Sequence, residues 1–179
     1  MLCMTMPHRD RTTKDVRRKP STSLQKLASV PDELFTGVFR QQYGALCFRR
    51  TEGTAIEVLV ITSRKTGRWI IPKGWPMKRK KPYEAAAMEA LEEAGVRGTV
   101  RKKPIGRYTY LKELEDGDVA PCVVDVLQVE VRDIKAEFKE RGQRDREWVS
   151  LDEAARRVRE IELKSMLVTF RPRTKGNLG

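Results

Sequence analysis

Residues 69–95 place the tightest constraint on what this 179-residue chain can fold into. WIIP reads as a short buried strand stopped by Pro72, and Gly74 follows in a turn. Pro76 and Pro82 then bound a loop with four consecutive basic residues, Lys78 to Lys81. From Tyr83 to Ala94 the chain reads as a helix, with Gly95 ending it in a C-cap role. Ala87, Ala90, Leu91 and Ala94 recur at i, i+3, i+4 and i+7, which predicts a core-facing stripe. Its small alanines let such a helix approach a sheet closely. Glu89, Glu92 and Glu93 are expected on the opposite side, pointing away from the core. Like charges at these spacings repel by a few tenths of a kcal/mol per pair, roughly. A hard cation between them would turn that cost into binding.

The flanking sequence supplies the sheet. QQYGALCFR and AIEVLVITS read as strands joined by the turn RTEGT, and RKTGR turns the chain into WIIP. After the helix, VRGTVRKKPIGRYTYLKEL predicts two strands, and PCVVDVLQVEV is the longest strand candidate. DIKAEFKERGQR reads as a loop, REWVSL as a short strand, and DEAARRVREI as a second helix. Strands outnumber helices and the two are interleaved, so the expected class is α/β, a sandwich with a mixed β-sheet.

Outside this region the chain is basic and irregular. Residues 1–38 are read as a flexible extension, 39–165 as the domain and 166–179 as a tail. With 37 Lys and Arg against 25 Asp and Glu, the net charge is +12, which attracts polyanions without choosing between nucleic acid, lipid and a phosphate-rich ligand. Three scattered cysteines form no CxxC pair or disulfide framework, and His8 is the only histidine, which argues against zinc sites and His-based triads. A reducing, cytoplasmic location is expected. No apolar run is long enough to span a membrane.

The unit from the buried strand to Gly95 resembles the Nudix box: a glycine, five residues, Glu, seven residues, then Arg-Glu-apolar-x-Glu-Glu-x-Gly-apolar. Gly74, Glu89, Ala90, Glu92, Glu93, Gly95 and Val96 match it in order and spacing. Lys80 stands where the family's first glutamate belongs, and Met88 where its arginine belongs. That arginine helps to orient the family's glutamates, and Met88 has no charge with which to do so. YGALCFRR, VLVITSRKTGRWIIPKG and RDREWVSLDEA look like the diphosphoinositol polyphosphate phosphohydrolase branch, which also cleaves diadenosine polyphosphates.

The resemblance implies a Nudix-type α/β/α sandwich and a pyrophosphohydrolase of phosphate-rich small molecules. It implies Mg²⁺, or Mn²⁺, held by Glu89, Glu92, Glu93 and the Gly74 carbonyl, with Glu92 or Glu93 accepting a proton from water. Ser63 and Arg64 match the branch's phosphate-binding Ser-Arg pair, and Lys73, Lys78 and Lys80 are further candidates for substrate phosphates. The alternative is a low-turnover Nudix-fold sensor or binding module for a phosphorylated ligand or RNA, with the basic N-terminal arm as the RNA contact. Glu147 is read mainly as a structural strand-end residue, Trp69 and Trp75 as packing or base-stacking groups, and Cys47 and Cys122 as buried thiols.

Overall fold

The computed structural model describes residues 39–173 apart from 52, 54, 115 and 116, so the proposed N-terminal arm lies outside the described residues. The elements run β1 (Arg40–Arg50), β2 (Ile56–Thr62), β3 (Trp69–Ile70), β4 (Lys73–Gly74), α1 (Pro82–Ala94), β5 (Val96–Val100), β6 (Gly106–Glu113), β7 (Val119–Ile134), β8 (Arg146–Ser150), α2 (Leu151–Arg157) and α3 (Ile161–Thr169). The sheet is ordered β3-β2-β1-β7-β5, with β4 also pairing β1, β6 pairing β7 and β8 pairing β2. β1 and β7 run parallel, with Arg40 opposite Cys122 and Phe48 opposite Glu130. The other pairings are antiparallel, so the sheet is mixed.

The period-two alternation of the strands divides the core in two. Ala45, Cys47, Leu59, Ile61, Leu127 and Val129 face α1, packing on Ala86, Ala90 and Ala94. Their neighbours Leu46, Phe48, Val58, Val60, Val124 and Val126 face the other way, onto Ala154, Ala155, Leu163, Leu167 and Phe170 of the α2–α3 layer. The result is the expected α/β/α sandwich. Among the described residues no helix is long and apolar enough to cross a membrane.

Two expectations need correction near the C-terminus. The single helix read over DEAARRVREI is broken: Ser150 caps α2 by accepting from the Glu153 N–H at 3.2 Å, and Val158 ends it in an extended conformation. Val158 is buried, and Glu160 turns in to meet Arg68 at 3.2 Å, so tertiary contacts interrupt the helical run. The domain also continues past residue 165. α3 runs to Thr169, Phe170 packs edge-on against Phe48 with ring centroids 5.3 Å apart, and the Arg173 backbone bonds to the buried Gln128 side chain.

Candidate active site

The site is built where β4 passes the middle of α1. Gly95 ends α1 with φ of 71°, a left-handed turn that glycine makes without steric cost, and its N–H donates to the Leu91 carbonyl at 3.0 Å. The chain after β7 then returns as a strap across this end of the helix. Phe138 lies where a side chain at Gly95 would project, the Lys135 N–H donates to the Gly95 carbonyl at 2.8 Å, and the Arg146 guanidinium donates to the Ala94 carbonyl at 2.6 Å. A cation there also complements the negative end of the helix dipole.

The phase of α1 differs from that read in the sequence. Its buried residues are Ala85, Ala86, Ala90, Glu93 and Ala94, with Ala87 and Leu91 only partly covered. The helix is thus turned so that its glutamates roll toward the sheet instead of away from it. Glu93 is buried, Glu89 and Glu92 half-buried. Pulling a carboxylate into a core requires partners. Glu93 accepts from the Lys73 backbone N–H at 2.9 Å and pairs with the Arg144 guanidinium. Arg144 is itself buried and also donates to Glu140 at 2.7 Å and to the Thr62 carbonyl at 2.9 Å.

Glu89 sits against Gly74. Its carboxylate occupies the space that any side chain at position 74 would need, which is the physical reason for a glycine there. Burial, then repulsion from Glu93, Glu92 and Glu140, pushes the Glu89 carboxyl up to about 7. Burial likewise raises Glu93 above the usual carboxylate range against the opposing pull of Arg144. On the outer side, Lys139 bonds Glu92 at 2.6 Å, and the Glu140 N–H donates to the Glu92 carbonyl at 3.0 Å.

These contacts bring Gly74, Glu89, Glu92 and Glu93 into one neighbourhood without pointing three carboxylates at one spot. Among the described residues no three such side chains form a ready-made metal cluster. The reason is visible in the pairing: Arg144 and the Lys73 N–H hold Glu93, and Lys139 draws Glu92 outward. The donor chemistry still fits Mg²⁺ or Mn²⁺. Carboxylate and carbonyl oxygens are the ligands hard cations take, and a carboxyl raised first by burial and then by acidic neighbours is a group a cation would relieve.

The phosphate-binding candidates separate. Lys73 is central: its N–H fixes Glu93, while its ammonium lies over the Tyr110 ring, 4.9 Å from the centroid. Burial lowers its pKa to about 8 against the pull of Glu93. Arg64 joins the strap through Glu140, at 3.3 Å, whereas Ser63 closes the β2–β3 turn, its hydroxyl 2.5 Å from that of Thr66. Lys78 and Lys80 are exposed in the loop that joins Gly74 to the start of α1. Of the remaining candidates, Glu147 is paired with Arg157, Trp69 packs against the core under the same arginine, and Trp75 is exposed with Lys112 over its ring. Cys47 and Cys122 are buried free thiols, raised by burial.

Lys139 and Glu140 went unread in the sequence because their segment passed for a plain loop, and Arg144, at the start of the matched stretch RDREWVSLDEA, was given no role. The available signal was density of alternating charge, with Lys139, Glu140, Arg141 and Arg144 falling within six residues.

An acidic helix face beside a glycine strand, in an α/β/α sandwich, is the arrangement of a Nudix domain. The chain belongs to that family: the model for the NUDIX domain matches residues 39–169. It is 31% identical over 102 residues to Nudix hydrolase 12, mitochondrial, of Arabidopsis thaliana, covering 55% of this chain and 50% of that protein. It is 31% identical over 116 residues to diphosphoinositol polyphosphate phosphohydrolase 2 of Rattus norvegicus, covering 65% of this chain and 61% of the relative. The matched region thus spans about half to two thirds of these relatives. In structure it is similar to the Ap4A hydrolase of C. elegans, with a TM-score of 0.53 at 20% identity, covering 73% of this chain and 95% of that one.

Proposed function

We propose that this protein is a metal-dependent pyrophosphohydrolase that cleaves a diphosphate linkage in a highly phosphorylated small molecule, of the diphosphoinositol polyphosphate or diadenosine polyphosphate class. The observation that carries the reading is Glu89 seated against Gly74 with Glu92 and Glu93 one turn along, an acidic face in a chain of net charge +12. The names of the rat and nematode relatives point the same way for the substrate class. Glu89, Glu92 and the Gly74 carbonyl would hold Mg²⁺ or Mn²⁺, with Glu93 beside them. When bound, the ion supplies neutralisation of pyrophosphate charge and activation of water.

This chain's own groups then divide the remaining work. Both carboxylate oxygens of Glu93 are engaged, one by Arg144 and one by the Lys73 N–H, so Glu93 is the weaker candidate for proton transfer. Glu92 has one oxygen, Oε2, on the exposed Lys139 and is the better one to take a proton from water at Oε1. Lys73, whose backbone meets Glu93, and Arg64, which meets Glu140, are the cations this reading assigns to phosphates remote from the reacting bond. The cytoplasmic location follows the cysteine usage and is part of the proposal.

The test is hydrolysis of a panel of diphosphoinositol phosphates, diadenosine polyphosphates, ADP-ribose and triphosphorylated RNA, each with Mg²⁺ and with Mn²⁺. The expected result is metal-dependent cleavage of one of the first two classes, with Glu92→Gln at least ~100-fold slower, the scale of a lost transition-state electrostatic contact. Turnover without metal, or wild-type turnover in Glu92→Gln, would overturn the mechanism. A sensor with little turnover is the second reading, favoured by the cations that already pair with Glu92 and Glu93. Tight binding of a panel member without cleavage would establish it.

A further inference from the structure

The helix that carries the acidic face has lost the cation its motif expects: position 88 is Met, and no basic residue stands in the last turn of α1. Yet Glu93 is the most deeply buried of the three glutamates. A buried carboxylate without a partner is strongly disfavoured, so its counter-charge must come from elsewhere in the chain. It comes from the strap. We propose that Arg144 is the positioning residue of this site, holding Glu93 and through it the Lys73–Gly74 strand, in the role that position 88 cannot fill.

The geometry is specific to arginine. The side chain of Arg144 is only 6% exposed, and its planar fork reaches three acceptors on three segments: Glu93 on α1, the Thr62 carbonyl at the end of β2, and Glu140 on the strap. Glu140 in turn is met by Arg64, and its own N–H is bonded to the Glu92 carbonyl, so the strap touches both neighbouring glutamates of α1. On its far oxygen Glu93 accepts from the Lys73 N–H at 2.9 Å. Arg144, Glu93 and Lys73 therefore form a continuous chain of contacts from the strap to β4. The residue after Lys73 is Gly74, against which Glu89 is seated. Arg144 touches neither substrate nor metal in this scheme. It sets the distance between α1 and β4, on which the alignment of Glu89 with the Gly74 carbonyl depends.

The metal-binding consequence rests on the hydrolase reading above, whereas the Lys73–Glu93 consequence does not, and the experiment separates them. In the full chain, amide exchange at Lys73 is measured without metal, and Mn²⁺ binding is measured by electron paramagnetic resonance, for wild type, Arg144→Lys and Arg144→Gln. Arg144→Gln should speed exchange at Lys73 at least ~10-fold over any change at Val126 in the centre of the sheet, and weaken Mn²⁺ binding at least ~10-fold. Arg144→Lys, which keeps charge but loses the fork, should fall between the two and stay folded. If Arg144→Gln does not fold, Arg144→Lys decides, with at least threefold effects expected on both readouts. Wild-type Lys73 exchange in the folded variants would overturn the proposal. If wild type itself binds no Mn²⁺, the metal reading fails and the Lys73 amide alone decides the role of Arg144.

Discussion

The two faces of the sheet are built on different terms. Toward α2 and α3 the core is large and apolar, with Phe48, Leu46, Tyr108, Leu163, Leu167 and Phe170 interlocked. Toward α1 the helix contributes only alanines, Ala86, Ala90 and Ala94, to the buried apolar cluster, and it carries a buried glutamate among them. The first face holds the domain together by area removed from water. The second gives up area to bring the helix close to β4 and to keep carboxylates within reach of Gly74. Stability and chemistry are thereby placed on opposite sides of one sheet, and variants on one side should leave the other readout largely intact.

The largest effect expected is on the apolar face. Phe170→Ala removes the ring packed on Phe48 and should cost about 3–5 kcal/mol of unfolding free energy. Mn²⁺ affinity of the folded fraction should stay within about threefold of wild type. A loss of metal affinity as large as the loss of stability would break the division between faces.

On the acidic face the expected change is smaller and depends on pH. The Glu89 carboxyl titrates at about 7 in the folded chain, above its ordinary value of 4.5, so the folded state binds its proton more tightly than the unfolded state does. Ionisation in place therefore removes stability as pH rises from about 4.5 through 7. Glu89→Gln lacks that loss. It should match wild type near pH 4 and be more stable by about 1–2 kcal/mol above pH 7 without metal, allowing for solvent screening. Chemical denaturation across that range checks the sign, and a variant less stable than wild type at pH 8 would refute it.

The smallest effect should come from Met88→Arg. Glu92 and Glu93 already have Lys139 and Arg144, so a further cation should change turnover and metal affinity by no more than about threefold. A tenfold gain would show that the strap does not fill the role.

How much of this was legible follows from which contacts are local. The strands announced themselves through runs such as IEVLVIT and VVDVLQV bounded by turn residues, and Gly95 marked the end of α1 correctly. The box residues were picked out by the resemblance of their order and spacing to the Nudix box. The phase of α1 was not, because alanines at 85, 86, 87, 90 and 94 surround much of the helix and offer little hydrophobic contrast. What turns Glu93 inward is Arg144, 51 residues further along, and no periodicity within the helix encodes that partner. The same holds for the break before α3, where Glu160 is drawn to Arg68 on the opposite side of the sequence. Substrate candidates in the Lys78–Lys81 loop were suggested by charge density, and the fold leaves them exposed in the loop between Gly74 and α1.

The central claim is that the Glu89–Gly74–Glu92 neighbourhood is a cation site. Its most direct measurement is the thermal stability of the full chain at pH 8 as Mg²⁺ is added, for wild type and for the Glu89→Gln, Glu92→Gln double variant. A free ion at about ten times its dissociation constant adds about 1.4 kcal/mol. For a domain of this size that is an increase of about 5 °C in Tm. The account predicts this rise in wild type at pH 8, a smaller one at pH 5 where Glu89 is protonated, and none in the double variant. No rise in wild type at pH 8, or an equal rise in the double variant, would contradict it.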